Sequence, residues 1–527
     1  MTQVWDMSCL RVKSARENLS GIDSDSPCDT HSVLCAPPVH VCPKFSYPSY
    51  GSSMTNDGSP HPANRARLAD TDALPLLGLS LNEGEAIPRS RVWAWALWDW
   101  ATQPFNTVIL TFVFTALYLV SDEFIDPAIV ALGKDGPLYG QALAQLSINF
   151  GIATLIAGIL IALVAPVLGQ RADAMGRRKL WLGVGTALLV ASTAGLFFVE
   201  AMPSYFWLGA LLIAAGSVFS EIAGVNYNAM LTQVSTPQTV GRVSGLGWGF
   251  GYLGGIIAMI LVVVATSFDF FGLSLENGLP FRVIALGCAI WTVLFSIPIF
   301  LFVPESPPTG GRTRIGFFQS YLVLARDIMD LFRNARQTLW FLLASAVYRD
   351  GLAGVFAFGA ILAAVAFGFS DSGVIIFGIA ANLVAGVSTI SAGWFDDRFG
   401  ARRVIIFSLT GLSIAGLLVF FLASFGPIVF WVFGLALTGF VGPIQAASRS
   451  LLARLAPAGR VGQIFGLYAT TGRAVSFLSP AAWAGFIALA AYFGLANPTL
   501  WGVLGIILIV VFGLGLMLFL KPENAKS

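Results

Sequence analysis

The sequence predicts an all-α integral membrane protein in which twelve transmembrane helices form two six-helix bundles related by an internal repeat. The first observation is composition, because 56% of the 527 residues are hydrophobic and only 11% are charged, against about 25% charged in soluble domains. The second is that apolar runs of about 20 residues, the length that crosses ~30 Å of hydrocarbon, occur twelve times. The third is that GQRADAMGRRK at 169–179 returns as GWFDDRFGARR at 393–403. Hydrocarbon offers the backbone no water, so such runs must be helical.

Residues 1–88 are rich in Ser, Pro, Asp and Asn. This composition predicts a disordered cytoplasmic tail, and the tail has no apolar segment of the kind found in signal peptides. The tail contains Cys9, Cys28, Cys35 and Cys42. A metal site is an alternative interpretation, but these spacings include no CxxC pair, so we expect none. Translation starting at Met54 is another interpretation of this segment.

Residues 89–303 are predicted to form the first bundle and residues 338–521 the second. Residues 522–527 are predicted to be a short cytoplasmic tail. The predicted spans are 93–120, 143–168, 180–199, 204–231, 244–266, 283–303, 338–367, 373–392, 404–424, 427–448, 462–490 and 499–520.

A cytoplasmic linker, residues 304–337, is predicted to join the bundles. Its apolar residues recur at helical spacing among charged ones, which indicates an amphipathic helix on the membrane surface. Docking of a partner protein is the alternative. The apolar positions are Phe317, Phe318, Tyr321, Leu324, Ile328, Leu331 and Phe332.

The two repeated motifs are predicted to be tight, charged loops at equivalent points of the two bundles. We expect them to form a conformational latch, one part in each half. The latch residues are Gly169, Asp173, Gly176, Arg177 and Arg178 in the first half, and Gly393, Asp397, Arg398, Gly400, Arg402 and Arg403 in the second. A second short repeat, Gly241-Arg242-Val243 and Gly459-Arg460-Val461, supports the duplication.

These paired loops resemble the signature cytoplasmic loop of the major facilitator superfamily. Further motifs resemble the vacuole-effluxer branch, which includes autophagy-related exporters of amino acids from fungal vacuoles. They are Trp95-Ala-Leu-Trp-Asp99-Trp-Ala, Glu221-Ile-Ala-Gly-Val-Asn226-Tyr-Asn228, Gly241-Arg-Val-Ser-Gly-Leu-Gly-Trp, Arg349-Asp350-Gly351, Gln445-Ala-Ala-Ser-Arg449-Ser and Gly472-Arg473. The resemblance covers about 92–521 and implies a secondary transporter. Trp98 stands where the family often has tyrosine.

Lys and Arg are distributed unequally between the two sides of the predicted membrane. With the motif at 169–179 inside, nearly all Lys and Arg of the loops and helix ends, including Arg242, Arg449 and Arg460, lie on that side, whereas Lys134 and Arg282 lie on the other. Because positive residues favour the cytoplasmic side, both termini are predicted to be cytoplasmic, in a multi-pass protein of the cell membrane.

Charged residues inside the predicted spans are the candidate substrate and proton pathway. Charge at the bilayer centre costs at least ~2.5–3.5 kcal/mol, so its retention indicates function. The five candidates are Asp99, Glu221, Arg349, Asp350 and Arg473. They lie in the first, fourth, seventh and eleventh spans, which the resemblance places around the central cavity.

Each candidate also has a structural interpretation. Asp350 could neutralise Arg473 as an ion pair, and Asp99 could be a gate partner of Arg242 or Arg460. Glu221 is the strongest candidate proton carrier, since a carboxyl group buried away from counter-charges favours its protonated form. Arg349 and Arg473 are the cations that could hold an anionic group, because arginine forms bidentate contacts with carboxylates.

The sequence has no GxSxG, HExxH or Walker phosphate loop, so we expect no enzyme, catalytic residue, metal or cofactor. The expected activity is secondary active transport of a small solute, proton-linked, with export of amino acids or related carboxylate-bearing metabolites. The expected partners are that solute, a coupling proton and the lipid bilayer, with no nucleic acid, and the expected functional unit is a monomer. The alternatives are a transporter-like sensor without net flux, or a facilitator, drug carrier or sugar carrier of the same superfamily.

Overall fold

A computed structural model describes residues 86–133, 137–274, 276–305, 317–457 and 459–521. Within these ranges the chain has twelve helices that are long and apolar enough to cross a membrane, and no strand. The predicted fold class is therefore confirmed. The predictions for the tails at 1–85 and 522–527, and for linker residues 306–316, lie outside the described residues.

Each predicted span overlaps one of the twelve helices. The first bundle comprises α1 (Arg89–Leu119), α2 (Leu138–Met175), α3 (Arg178–Phe198), α4 (Pro203–Val234), α5 (Val240–Ser267) and α6 (Glu276–Phe302). The second comprises α7 (Arg336–Ala366), α8 (Ile376–Phe399), α9 (Ala401–Phe421), α10 (Pro427–Leu455), α11 (Val461–Tyr492) and α12 (Pro498–Leu518). Between them lies the linker helix, Phe317–Asn334.

The repeated motifs are not loops for most of their length, which corrects the prediction. α2 continues as far as Met175 and α8 as far as Phe399. The chain then turns at Gly176, with φ 61°, and at Gly400, with φ 89°, a backbone region that glycine occupies without a steric penalty. We call the end of the protein at which α2 and α8 terminate the charged end.

Several spans depart from regular α-helix. α1 widens to a π-helix at Phe105–Phe112, directly after Pro104, and α7 and α10 do so at Leu362–Ala366 and Phe430–Gly434. α11 is interrupted between Val461–Ala474 and Leu478–Tyr492. π-helical turns and broken membrane helices are frequent at functional sites.

The two bundles meet mainly at the charged end. There α2 packs against α11 and α5 packs against α8. One hydrophobic cluster contains residues of both bundles, such as Trp95 and Tyr227 of the first with Tyr348 and Phe465 of the second. Two further clusters each belong to one bundle. The bundles therefore share a core at the charged end but have separate cores toward the opposite end.

Candidate functional site

A contact between α2 and α11 closes the charged end on one side. Asp173, near the end of α2, accepts hydrogen bonds from Arg178 Nη2 at 2.6 Å and from the backbone N–H of Gln463 at 3.0 Å. Gln463 lies in the first turn of α11, where backbone N–H groups have no intrahelical partner and the helix dipole favours an anion. We call this contact the first latch.

A matching contact joins α8 to α5. Asp397 accepts hydrogen bonds from the backbone N–H groups of Gly241 at 2.7 Å and Arg242 at 3.2 Å, and from Arg242 Nε at 2.8 Å. Its neighbour Asp396 pairs within the second bundle, with Arg454 Nη1 at 2.6 Å. We call the Asp397 contact the second latch. In both latches an Asp of one bundle holds the start of a helix of the other.

Glycine makes both close approaches possible. A Cβ atom on Gly169 would overlap the backbone of Gly462, and one on Gly393 would overlap the backbone of Gly241. Gly462, rather than the predicted Gly459, is therefore the counterpart of Gly241. An alignment of the two halves on the short repeat is therefore wrong by three residues. The positions that correspond in α5 and α11 are those at which each helix packs against a helix of the other bundle.

The other four basic residues predicted for the latch have different surroundings in the part of the chain that the structure describes. Arg402 donates to the carbonyl oxygen of Leu518 within the second bundle at 3.1 Å. Arg398 lies over the ring of Trp394 at 5.4 Å. Arg177 and Arg403 are exposed. Of the basic residues predicted for the latch, Arg178 binds a latch aspartate, Asp173.

Removing a latch aspartate is expected to change the rate of transport more than the affinity for solute. Loss of a helix-capping side chain costs about 0.5–2 kcal/mol. Asp173→Ala or Asp397→Ala should therefore lower the ratio of molecules closed at the charged end to molecules open there by up to roughly 30-fold. Initial rates across solute concentrations in proteoliposomes would separate maximal rate from half-saturation.

The matched control for these variants is Asp126→Ala. Asp126 also caps a helix, accepting from the N–H of Ala128 at 2.9 Å, but outside the contact between bundles. Its replacement should leave both kinetic constants unchanged. A large loss of affinity with an unchanged maximal rate in the latch variants would show instead that these aspartates contact solute.

Above the latches, a buried arginine joins α10 to three helices of the first bundle. Arg449 is 3% exposed. Its Nη1 donates to Asp99 Oδ2 on α1 at 3.0 Å and to Asn228 Oδ1 on α4 at 3.2 Å, while its Nε and Nη2 donate to the hydroxyl and carbonyl oxygens of Ser244 on α5 at 3.0 and 2.7 Å. We call these four residues the polar core.

Aromatic rings enclose the polar core. The Arg449 guanidinium lies 4.8 Å from the centroid of the Trp95 ring, and Trp95 and Trp98 stack on Tyr227 at 4.5 and 4.4 Å. Tyr227 donates its hydroxyl hydrogen to Asp99 Oδ2 at 2.9 Å. The faces of these rings attract the guanidinium cation, and the rings exclude water from the polar core.

The polar core corrects two predictions. Asp99 pairs with Arg449 and not with Arg242 or Arg460. Arg449 was assigned to a helix end, whereas it lies inside α10 between the bundles. Sequence reasoning missed it because the predicted tenth span ends at residue 448, directly before Arg449, whereas α10 continues to Leu455. The signal available was its place in the family-like motif that begins at Gln445.

A second polar group between the bundles contains three of the predicted pathway residues. Glu221 Oε2 on α4 and Arg473 Nη2 on α11 are 3.4 Å apart, with side chains 32% and 43% exposed. Arg349 on α7 donates to the carbonyl oxygen of Tyr468 at 3.0 Å and lies 3.7 Å from the centroid of its ring. Among the described residues no ion pair involves Arg349. The group therefore has two cations and one anion. Glu221 is thus paired and partly exposed, which corrects the prediction that it is buried away from counter-charges.

Asp350 does not neutralise Arg473, which corrects the structural interpretation offered for it. Asp350 accepts a hydrogen bond from the backbone N–H of Ser479 at 2.6 Å, and its own carbonyl oxygen accepts from the Ser479 hydroxyl at 2.8 Å. Ser479 lies at the start of the second segment of α11. Asp350 therefore stabilises the interruption of α11 that follows Arg473.

A cavity of about 350 Å³ lies between the bundles. Its lining comes from α1, α5, α7, α8, α9, α10, α11 and α12, and is mostly apolar, including Met259, Phe377 and Trp483. Thr107 in this lining accepts a hydrogen bond from Gln103 at 3.4 Å. Gln103 lies one turn of α1 beyond Asp99. The cavity thus lies on the side of the polar core away from the latches.

Comparisons with known proteins agree with this architecture. Residues 232–527 match the family model described as "Vacuole effluxer Atg22 like". The chain is 27% identical over 445 residues to the "Uncharacterized MFS-type transporter YxiO" of Bacillus subtilis, covering 82% of this chain and 95% of that protein. It is 26% identical over 266 residues to "Autophagy-related protein 22-1" of Aspergillus fumigatus, covering 45% of this chain and 42% of that protein.

Solved structures share the fold at low sequence identity. The proton:xylose symporter XylE superposes with a TM-score of 0.65 at 15% identity, covering 83% of this chain and 97% of that one. The human organic anion transporter MFSD10 superposes with a TM-score of 0.60 at 17% identity, covering 81% and 99%. XylE is a transporter of the major facilitator superfamily.

Proposed function

Because this chain belongs to the family of vacuole effluxers like Atg22 and is an MFS-type transporter rather than an enzyme, we propose that it moves a small carboxylate-bearing solute across the membrane in exchange for, or together with, protons. Amino acids and related metabolites are the proposed solutes, and export is the proposed direction. The proposed functional unit is a monomer, since each chain contains both bundles and the cavity between them.

The observation that carries this proposal is the excess of positive charge in the second polar group between the bundles. Arg349 and Arg473 flank Gly472, and the Arg349 guanidinium packs against that glycine. A single carboxylate, Glu221, pairs with Arg473, so one positive charge of the two remains unbalanced. An anionic solute group would therefore be attracted to this point, where arginine can hold it with two parallel hydrogen bonds. The apolar cavity would accommodate the remainder of the solute.

Glu221 is the proposed proton carrier. Its partner Arg473 belongs to the other bundle, so the contact changes whenever the bundles move apart. A solute carboxylate and Glu221 would compete for Arg473, so binding of solute would release the Glu221 carboxylate from its cation. Binding of solute and uptake of a proton are thereby linked at one ion pair. Asp350 and Asp99 are the second and third candidates for this role.

Alternating access follows from the proposed latches. The described conformation is closed at the charged end by Asp173 and Asp397, with the cavity on the other side. Breaking both contacts would allow the bundles to rock about the central site and open at the charged end, as in other transporters built from two repeats.

The experiment that tests this proposal uses the purified full-length protein in liposomes. A pH step across the membrane should drive accumulation of at least one carboxylate-bearing amino acid or metabolite from a labelled panel, whereas neutral sugars should not accumulate. Flux that ignores the pH step would favour the facilitator alternative. Binding without any flux would favour the sensor alternative.

The charged end is proposed to face the cytoplasm of a cell membrane, with both termini inside. The supporting argument is the concentration of arginine and lysine at that end. A reporter that is active only outside the cell should give no signal when fused at Lys526 and a strong signal when inserted near Lys134. The reverse pattern would require the opposite orientation.

A further inference from the structure

The linker helix (Phe317–Asn334) has one face packed on the bundles. Leu324 and Leu331 are 8% and 2% exposed. Tyr321 donates its hydroxyl hydrogen to the carbonyl oxygen of Leu163 on α2 at 3.2 Å. The helix also contacts α7, so it touches both halves of the protein.

The opposite face is exposed and combines apolar with cationic side chains. At about 100° per residue, Leu322, Arg326, Met329 and Arg333 fall within an arc of roughly 60°. Leu322 is 66% exposed and Met329 52% exposed, and both arginines are exposed. This face has the composition of a helix that inserts apolar side chains among acyl chains and keeps arginines at anionic headgroups.

The position of the helix indicates what this face meets. Leu163 belongs to membrane span α2 and precedes its end at Met175 by roughly 18 Å at 1.5 Å per residue. Leu163 is itself 52% exposed, as expected of a lipid-facing residue. Because Tyr321 reaches this depth, the linker helix lies beside the membrane-spanning part of α2. Its exposed face is therefore at the level of the bilayer and not in bulk solvent.

The same helix is connected to the first latch. Asp330 accepts a hydrogen bond from Arg460 Nη1 at 2.9 Å, and Arg460 directly precedes α11. Hydrogen bonds from Arg460 and Asn334 lower the pKa of Asp330 below its ordinary value, so the contact is charged near neutral pH. Arg460 lies three residues from Gln463, whose N–H Asp173 holds.

We propose that the exposed face of the linker helix is a binding site for anionic phospholipid, with Arg326 and Arg333 contacting the headgroup phosphate and Leu322 and Met329 contacting the acyl chains. The bound lipid fixes the helix against the membrane and, through Asp330 and Arg460, stabilises the first latch. Anionic lipid is thereby a regulator that favours the conformation closed at the charged end. This inference concerns the linker and does not depend on the identity of the transported solute.

The first experiment measures lipid retention. The full-length protein is purified from mixed phosphatidylglycerol and phosphatidylcholine, and bound lipids are counted by native mass spectrometry. The wild type should retain phosphatidylglycerol in preference to phosphatidylcholine. Arg326→Gln/Arg333→Gln should weaken this retention by tenfold or more, since each arginine adds to the electrostatic attraction for anionic headgroups. Arg89→Gln/Arg91→Gln, two arginines at the start of α1, is the control and should retain the lipid. Equal retention of both lipids by the wild type would overturn the site.

The second experiment measures the connection to the latch by hydrogen exchange in nanodiscs. Phosphatidylglycerol should slow amide exchange at residues 461–467 of the wild type several-fold relative to phosphatidylcholine alone. Asp330→Asn should keep lipid retention but lose this slowing, which separates the connection from the binding site. Slowing that persists in Asp330→Asn would overturn the proposed route through Arg460. Preferential capture of an acidic protein, without lipid preference, would assign the face to protein docking instead.

Discussion

Replacing Arg449 with methionine is expected to shift the conformational equilibrium away from the state closed at the charged end by about a hundredfold. Methionine preserves much of the apolar volume but leaves Asp99 and Ser244 without the cation that joins them. Removing one partner of a buried ion pair costs about 3–5 kcal/mol, and the lower value applies because the Asp99 side chain remains 20% exposed. That cost corresponds to roughly a hundredfold in an equilibrium constant.

Spin labels would report this shift directly. With the native cysteines replaced by serine, labels at the exposed positions Arg177 and Arg403, one in each bundle, give the distance across the charged end. Arg449→Met should move the distribution to longer distances. Arg282→Met is the control, because the pair of Arg282 with Glu200 lies within the first bundle and away from both latches.

A double variant tests whether the ion pair itself is responsible. Asp99→Asn/Arg449→Met should shift the equilibrium less than the sum of its two single variants. The reason is that Asp99→Asn removes the carboxylate that Arg449→Met leaves unpaired. Shifts that simply add, or an Arg449→Met effect no larger than that of Arg282→Met, would contradict a joining role for Arg449.

Replacing Glu221 with glutamine is expected to abolish pH-driven accumulation of solute while solute binding is retained. Glutamine keeps the shape and much of the hydrogen bonding of Glu221 but cannot carry a proton. Counterflow, in which labelled solute exchanges with unlabelled solute without net proton movement, should continue. The loss of net accumulation together with retained counterflow is the diagnostic result, measured in the same proteoliposomes.

Arg473→Ala should have the complementary effect and lose solute binding itself, by about 1.5–3 kcal/mol for the lost charged hydrogen bonds, or roughly 10- to 100-fold in affinity. The control for Glu221→Gln is Glu200→Gln. The Glu200 side chain is 33% exposed, close to the value for Glu221, and its Oε1 lies 3.9 Å from Arg282 Nη2, outside the site. Full pH-driven accumulation by Glu221→Gln, Asp350→Asn and Asp99→Asn alike would exclude proton coupling through these carboxylates.

The class of protein and the number of its helices follow from the sequence because each depends on local properties. A span needs only about 20 apolar residues, and the helical state of each run is imposed by the absence of water around its backbone. The duplication is likewise visible in the two motifs at Gly169 and Gly393. The ends of helices were harder to predict from the sequence. The charged residues of both motifs are typical of loops, yet the motifs continue α2 to Met175 and α8 to Phe399.

Partners across the two bundles could not be read from the sequence. Asp99 and Arg449 are 350 residues apart, and charge alone does not distinguish Arg449 from Arg242 or Arg460 as the cation that Asp99 meets. The same holds for Asp350, whose partner is a backbone N–H at the interruption of α11, a feature that side-chain charge does not reveal.

Composition and periodicity thus determined the membrane fold, the repeat and the set of charged residues available inside the spans. The tertiary structure alone decided which of them pair: Asp99 with Arg449, Glu221 with Arg473, and each latch aspartate with the helix of the other bundle. The physical reason is that hydrophobic length acts on one helix at a time, whereas an ion pair depends on the packing and rotation of two helices. Close packing at Gly169 and Gly393 sets that arrangement at the charged end.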